Sequence, residues 1–370
     1  MAKPVHLFFY DKDFKILDVL KDFSSLRWVT RWWNIGEFEI HADEKYMELF
    51  QNAVYVGRRD SKYVGMIEQP AFETKEATKI WVKGAMLERK LDERAINYSV
   101  VYSGNAETVM RNIVNDFFIN PTDPNRKMAK LKLGVYNNLG GQVRVTPFGK
   151  SALIVLQEIA LEQKLSFNMH YDYLADTIYF DVLQGLDRSQ DQNINAWCIF
   201  SSKHKNVLEE KYEKNKFIKN YFFVEGGGEG VNRVKIVVDV RTAGEDLKEK
   251  YIDAKHLQQG TQTMPQYLEV LRQWGLQKAA EFGIIETVEL KIDPTRFIIT
   301  SDRTQKASLP VFGLGDNVTW VNEKVGFEAE APVVELTEII EPGANSMSVT
   351  LGREALTIKS IIKRGDLQRD

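Results

Sequence analysis

Residues 216–240 read KFIKNYFFVEGGGEGVNRVKIVVDV, and the rest of the chain is organised around them. Two apolar runs, Tyr221-Phe222-Phe223-Val224 and Val234-Lys235-Ile236-Val237-Val238, flank Gly226-Gly227-Gly228-Glu229-Gly230. Aromatic and β-branched residues fit a pleated, half-buried surface. Glycines accept positive φ and a sharp reversal. The stretch predicts a β-hairpin with a flexible tip. The rival reading is a phosphate cradle. A dinucleotide fingerprint starting at Gly226 needs glycine at position 231, where Val231 stands, and a helix where residues 231–240 read as strand. A phosphate loop needs Lys-Ser/Thr after its last glycine, and Val231-Asn232 follow instead.

Upstream of the hairpin, the first hundred residues read mainly as strands. Val5-His6-Leu7-Phe8-Phe9-Tyr10 and Phe14-Lys15-Ile16-Leu17 bracket a tight turn at Asp11-Lys12-Asp13. The acidic pair in that turn lacks a third ligand nearby, so a metal is not expected there. Trp28, Trp32 and Trp33 fall within one short stretch. Such rings can stack on sugars, but more often they fill a core or an interface. Phe38 and Ile40 alternate with Glu37, Glu39 and His41, the pattern of a strand with one wet face. Val54-Tyr55-Val56-Gly57 and Tyr63-Val64-Gly65-Met66-Ile67 predict another hairpin, and Lys79-Ile80-Trp81-Val82-Lys83-Gly84 a further strand.

From Ser103 the period changes. Asn105 can cap a helix over residues 106–118, with Val109, Ile113 and Phe117 on one face. A second helix is predicted over residues 151–164, then a hairpin of Leu165–Tyr171 and Thr177–Val182. Together these make a small α/β unit. Gly149-Lys150-Ser151 resembles the end of a phosphate loop, but Arg144 occupies the place of its first glycine, so a plain helix N-terminus is expected. Residues 185–191 read as a linker. Residues 203–219, with six lysines and three glutamates, read as a solvated strand face. Beyond the central hairpin, Thr263-Met264-Pro265 opens a helix, and four strand runs near residues 288–292, 317–321, 333–336 and 347–351 complete the chain.

Bulk properties narrow the function. At 370 residues the chain can form two or three domains. With 44% hydrophobic and 27% charged residues it has the composition of a soluble globular protein. A net charge of −3 gives no basic field for DNA or an anionic membrane. No run approaches the length of a membrane helix, and the short N-terminal apolar run is no secretion signal, so folding in a reducing cytoplasm is expected. Cys198, the only cysteine, lies in the apolar Trp197-Cys198-Ile199-Phe200, which suits a buried thiol. Of the histidines His6, His41, His170, His204 and His256, no two stand four apart, and there is no HExxH or GxSxG motif. Carboxylate pairs for glycoside cleavage are spatial and stay open. Arg364-Gly365-Asp366 matches an adhesion triplet in a charged C-terminus. The residues alone predict a non-enzymatic, β-rich protein with an α/β insertion.

The order of parts resembles the tail-hub family of siphophages and prophages, related to myophage baseplate hubs and type VI secretion spikes. Four passages carry the likeness. The first is Trp33-Asn34-Ile35-Gly36-Glu37-Phe38-Glu39-Ile40. The second is the α/β unit, with Ser151-Ala152-Leu153 opening its second helix and Gly185-Leu186-Asp187-Arg188-Ser189 following its last strand. The third is Phe223-Val224-Glu225-Gly226, followed by Tyr251-Ile252-Asp253-Ala254. The fourth is Gly313-Leu314-Gly315-Asp316-Asn317-Val318-Thr319, then Glu335-Leu336-Thr337-Glu338 and Leu351-Gly352.

The resemblance implies an α+β fold with two tail-tube-like β-barrel domains, at residues 1–102 and 191–370. The α/β domain is inserted at 103–190, and one further helix spans 264–283; strands can be exchanged between the barrels. It implies a homotrimer whose ring joins the tail tube or distal tail protein to tail-tip or fibre proteins. Such a ring forms a channel for DNA and the tape-measure protein. The expected place is the virion tail tip, assembled in the host cytoplasm. No enzyme activity, catalytic residue, cofactor, metal, membrane or specific nucleic-acid binding is expected. Many relatives carry a C-terminal peptidase or lysin, whereas the 18 residues after Gly352 are too few for one. A lumen that passes DNA without holding it is expected to be mildly acidic. The alternatives are a tail-associated cell-wall hydrolase and a carbohydrate-binding receptor module using Trp28, Trp32 and Trp33.

Overall fold

A computed structural model of the chain describes residues 5–74, 78–98, 100–215, 218–255, 257–260, 262–283, 285–299 and 309–352. The readings of Lys216, Phe217, His256 and Arg364-Gly365-Asp366 lie outside these residues. The chain forms two compact units, the first from Met1–Lys211 and Glu289–Leu351, the second from Tyr212–Val288.

The first unit begins with strands β1 (Leu7–Tyr10), β2 (Ile16–Leu20), β3 (Ser25–Arg31), β4 (Glu37–Ala42), β5 (Tyr55–Arg58), β6 (Val64–Thr74) and β7 (Thr78–Met86). A short helix, α1 (Met47–Asn52), lies between β4 and β5. The strands pair antiparallel in the order β3-β4-β7-β6-β5-β1-β2. Alternation decides which face turns inward: on β4, Phe38, Ile40 and Ala42 are buried while Glu37, Glu39 and His41 are not. Leu7 and Phe9 of β1 share one core with Leu26 and Trp28 of β3. Laid flat, those strands would stand about 24 Å apart at the usual strand spacing. The sheet therefore curls strongly around this core.

Phe14 does not enter a strand as the sequence suggested. It takes a φ of 63°, and its ring stacks 4.2 Å from both Tyr55 and Tyr171. Stacking on both faces stabilises a conformation that bulky residues rarely adopt, and β2 starts two residues later.

The α/β layer follows: β8 (Tyr102–Asn105), α2 (Ala106–Val114), β9 (Leu131–Leu133), β10 (Gln142–Val145), α3 (Ala152–Glu162), β11 (Leu165–Asp172) and β12 (Thr177–Gln184). Asn105 caps α2 as read, its side chain accepting from Glu107 N. The helix runs on as a π turn over Asn115–Ile119. Val109, Ile113 and Phe117 are buried, as the period predicted. Their cluster also holds Tyr10, Tyr55, Leu87 and Leu91, so this layer and the preceding strands share one continuous core.

The chain returns through β13 (Ile199–Ser201) and β14 (Val207–Asn215). The second unit then contributes β15 (Tyr221–Glu225), β16 (Lys235–Asp239), β17 (Glu249–Asp253) and α4 (Met264–Glu281). After it come β18 (Ile285–Ile292), β19 (Ile298–Ile299), β20 (Val311–Phe312), β21 (Asn317–Asn322), β22 (Phe327–Glu341) and β23 (Ala344–Gly352). The long β22 pairs first with β21, then with β23 on one side and β3 on the other. The large sheet runs β14-β18-β23-β22-β3-β4-β7-β6-β5-β1-β2. Among the described residues no pairing joins its ends into a closed barrel. The fold is α+β and mostly strand. Among the described residues no helix is long and apolar enough to cross a membrane.

In the second unit the predicted hairpin is present: β15 pairs antiparallel with β16, and β17 adds in parallel. Tyr267 and Leu271 of α4 pack on Phe222, Val224, Val238 and Ile252. The tip is not loose at its first two glycines, which are buried. A Cβ on Gly226 would stand 2.3 Å from the Tyr267 hydroxyl. Gly227 N donates to that same hydroxyl at 2.6 Å, and the hydroxyl donates to Leu257 O. Gly226 lets the helix approach rather than letting the tip move. Tyr267→Phe is expected to lower the second unit's stability by about 1 kcal/mol, since it removes two hydrogen bonds while Gly227 N keeps its bond to Leu257 O at 3.0 Å. Faster amide exchange at Gly227 would check this; unchanged exchange there would contradict it.

Candidate functional site

Across β22, β3, β4 and β7, one face of the sheet carries charge in register. Ile339, Arg27, Glu39 and Lys83 stand in one row; Thr337, Val29, Glu37 and Ala85 stand in the next; Glu335 faces Arg31. Arg31 Nε donates to Glu335 at 2.6 Å, and its Nη1 to Glu37 at 3.3 Å. Arg27 Nη1 donates to Glu37 at 2.7 Å. Lys83 Nζ lies 3.1 Å from Glu39 Oε2, and His41 Nε2 lies 2.7 Å from Glu39 Oε1. Burial would raise the Glu37 and Glu39 carboxyls, but hydrogen bonds from Arg31 and Arg27, and from His41 and Lys83, hold both below the usual range. Glu37, Glu39 and Glu335 thus offset Arg27, Arg31 and Lys83, so the face is polar and close to neutral.

Arg58 clamps the opposite, core-facing side of the sheet, from which Glu338 and Trp28 project. Its side chain is 3% exposed. Nε and Nη2 donate to the Asp60 carboxylate at 3.0 and 2.8 Å. Nη1 and Nη2 donate to Glu338 of β22, both at 3.0 Å. The guanidinium lies 5.5 Å from the Trp28 ring. Two bidentate pairs fix a group that would otherwise be costly to bury.

A second joint lies where residues 185–189 meet residues 313–317. Arg188 Nε donates to Asp316 Oδ2 at 2.9 Å, and both side chains are almost wholly buried. Asp316 also accepts from Leu186 N at 2.8 Å and from Gly313 N at 3.0 Å. Gly315 takes a φ of +83°, and a Cβ there would stand 2.4 Å from the Trp32 ring. A Cβ on Gly185 would stand 1.7 Å from Gly315 O. Residues 185–191 are therefore no solvated linker. Arg188 and Ser189 are buried, because the Asp316 carboxylate supplies the partner that a buried guanidinium requires.

A third joint ties the β3–β4 turn to the α/β layer. Trp33 Nε1 donates to Leu165 O at 3.0 Å, Gln157 Nε2 to Trp33 O at 3.2 Å, and Ser166 Oγ to Trp32 O. Met169 N donates to Glu88 Oε1 at 2.9 Å.

The residues singled out from the sequence fall as follows. Trp28 and Trp32 are buried, and Trp33 is partly buried and hydrogen-bonded, so the tryptophans belong to the core and the joints. The Asp11 carboxylate accepts from Asp13 N and Lys15 N, closing its own turn. Lys150 reaches Glu158 at 2.7 Å, and Ser151 Oγ donates to Asp92 at 2.6 Å, so Gly149-Lys150-Ser151 opens a helix. Cys198 is buried, which pushes its thiol pKa well up. His170 Nδ1 lies 2.9 Å from Asp181, and His6, His41 and His204 lie far apart in sequence, before β1, on β4 and in the β13–β14 turn. Among the described residues no cluster suited to a metal occurs. Sequence reasoning missed Arg58, Glu88 and the Arg188–Asp316 pair. The available signal was a charged residue closing an apolar run, as Arg58 does after Val56-Gly57.

A family model described as Siphovirus ReqiPepy6 Gp37-like protein matches residues 6–353. Among solved structures, the tail protein from Neisseria meningitidis MC58 is 11% identical with a TM-score of 0.56, over 95% of this chain and 97% of that one. The 43 kDa tail protein of prophage MuSo2 from Shewanella oneidensis is 13% identical with a TM-score of 0.56, over 94% and 98%. Prophage tail protein gp18 from Listeria monocytogenes EGD-e is 13% identical with a TM-score of 0.51, over 98% of both chains. No curated protein matches the chain in sequence. At these identities the likeness is one of fold, and it spans each pair nearly end to end.

Proposed function

We propose, from the premise that this chain belongs to the Siphovirus ReqiPepy6 Gp37-like protein family, that it is a structural hub of a phage or prophage tail. In this reading three copies close into an annulus between the tail tube or distal tail protein and the tail-tip or fibre proteins. DNA and the tape-measure protein pass through it. The supporting observation is the end-to-end likeness of fold to solved tail proteins, at nearly full coverage of both chains.

Two tube-like modules belong to the same proposal. One is β1–β7, curled around its shared core. The other is β13, β14, β18, β21 and β23, with β22 shared because it pairs with both β3 and β23. The division at residues 1–102, 103–190 and 191–370, with helix 264–283, goes with it. No catalytic role is proposed, and the carbohydrate-module reading is set aside because Trp28 and Trp32 are buried. The test is native mass with and without the distal tail protein, together with electron microscopy of particles carrying a label on this chain. A trimer and a label at the tail tip are expected. A monomer in the presence of that partner, or a label elsewhere, would overturn the reading.

The paired-charge face is the proposed lumenal wall. Polyanions are held by clustered unpaired cations, and here each cation has its carboxylate. With these charges paired, the proposed wall is near neutral rather than mildly acidic as expected from the sequence. Substituting Glu37→Gln and Glu39→Gln together leaves Arg27, Arg31 and Lys83 facing Glu335 alone. The double variant is expected to bind duplex DNA at low salt and release it as salt rises, while the parent chain does not bind. DNA retention by the parent at physiological salt would refute the assignment.

A further inference from the structure

We propose that the chain holds one internal water molecule at the joint between the β3–β4 turn and the α/β layer, between the Asn168 amide and the Glu88 carboxyl. Asn168 is 2% exposed, and neither its Nδ2 nor its Oδ1 has a partner in the protein. A buried amide left bare on both sides is strongly unfavourable. The space beside it is a cavity of about 20 Å³, lined by Asn168, Glu88, Trp33, Tyr63, Gln157 and Ser166. One water needs only about 10–15 Å³ of such space, provided that polar partners line it. Gln157 and Ser166 already donate to backbone carbonyls. The Asn168 amide is thus the group that an occupant must satisfy.

The chemistry selects a neutral molecule that both donates and accepts. Asn168 offers one donor side and one acceptor side. Glu88 is 7% exposed, and burial pushes its carboxyl up to about 7, so near neutral pH it passes between donor and acceptor. Water reorients to suit either state. A cation is disfavoured, because positive groups already face the site. Arg31 lines the cavity. Lys62 from the β5–β6 turn and His170 from β11, itself beside Asp181 of β12, act on the Glu88 carboxyl. An apolar guest would leave the amide bare.

The test is a crystal structure of the full chain at a resolution that shows ordered solvent, at pH 6 and pH 8. One full-occupancy peak within hydrogen-bond distance of the Asn168 amide is expected at both pH values, retained in Glu88→Gln and absent in Asn168→Leu. An empty cavity in the parent chain, Asn168 turned onto a protein group, or a peak replaced by rubidium on soaking would each overturn the proposal. Should Asn168→Leu not fold, oxygen-17 relaxation dispersion on the parent chain decides. At least one long-lived internal water is expected, and none would refute the site.

Discussion

Asp316→Ala is expected to destabilise the first unit by about 3–5 kcal/mol, the range for removing one member of a buried ion pair. The carboxylate accepts from Arg188 Nε, Leu186 N and Gly313 N. Removing it strands a buried guanidinium and two backbone N–H groups at once. Replacing both partners by apolar residues, Arg188→Met with Asp316→Leu, removes the stranded charge. It is expected to recover much of the loss, though the two backbone donors stay unpaired. The pair therefore specifies how residues 185–189 meet residues 313–317 more than it adds net stability. Urea unfolding of the single variants and the double variant, read as a double-mutant cycle, checks this. Single variants that shift stability by less than about 1 kcal/mol would place the pair with exposed ion pairs and would contradict the burial argument.

The contrast with the paired-charge face explains what was legible in the sequence. The alternation of Phe38 and Ile40 with Glu37, Glu39 and His41 named β4 and its wet face, because strand alternation is a local property. The period of Val109, Ile113 and Phe117 named α2 for the same reason. The reading of residues 185–191 as a linker failed because its content is not local. Arg188 is buried by a carboxylate 128 positions away. Arg58 is likewise fixed by Glu338, 280 positions away. The flexible tip failed at Gly226 because the reason for glycine there is Tyr267 on another element, and Gly227 is held next to it by the Gln258 side chain. Phe14 left its strand because Tyr55 and Tyr171 sandwich its ring. Open sheet ends are equally invisible in the sequence, since strand spacing and composition do not encode closure. Of the four passages that carried the family resemblance, the third lies in β15 and β17 of the second unit, and the other three reach these joints. Gly315 and Gly185 touch there, and Trp32 and Trp33 dock on their neighbours there.

Glu88→Gln is expected to stabilise the chain at pH 8 by up to about 3 kcal/mol and to leave it nearly unchanged at pH 4. The sign follows from the direction of the shift. Burial raises the Glu88 carboxyl from its ordinary value of 4.5 to about 7 in the folded chain. Below about pH 4.5 both folded and unfolded chains carry the neutral acid, and the site carries no penalty. As pH rises through the interval from 4.5 to about 7, the unfolded chain ionises first and the folded state loses stability. Above that interval the deficit is constant. Glutamine imitates the protonated acid at every pH and keeps an acceptor for Met169 N, so it removes the deficit without removing the hydrogen bond. Thermal unfolding of parent and variant at pH 4, 6 and 8 measures it. The difference in melting temperature should open between pH 4 and 7 and then level off. A difference that stays flat with pH would mean that Glu88 ionises in the folded chain as readily as in water. The joint between the β3–β4 turn and the α/β layer would then be open to bulk solvent rather than closed around a single buried acid.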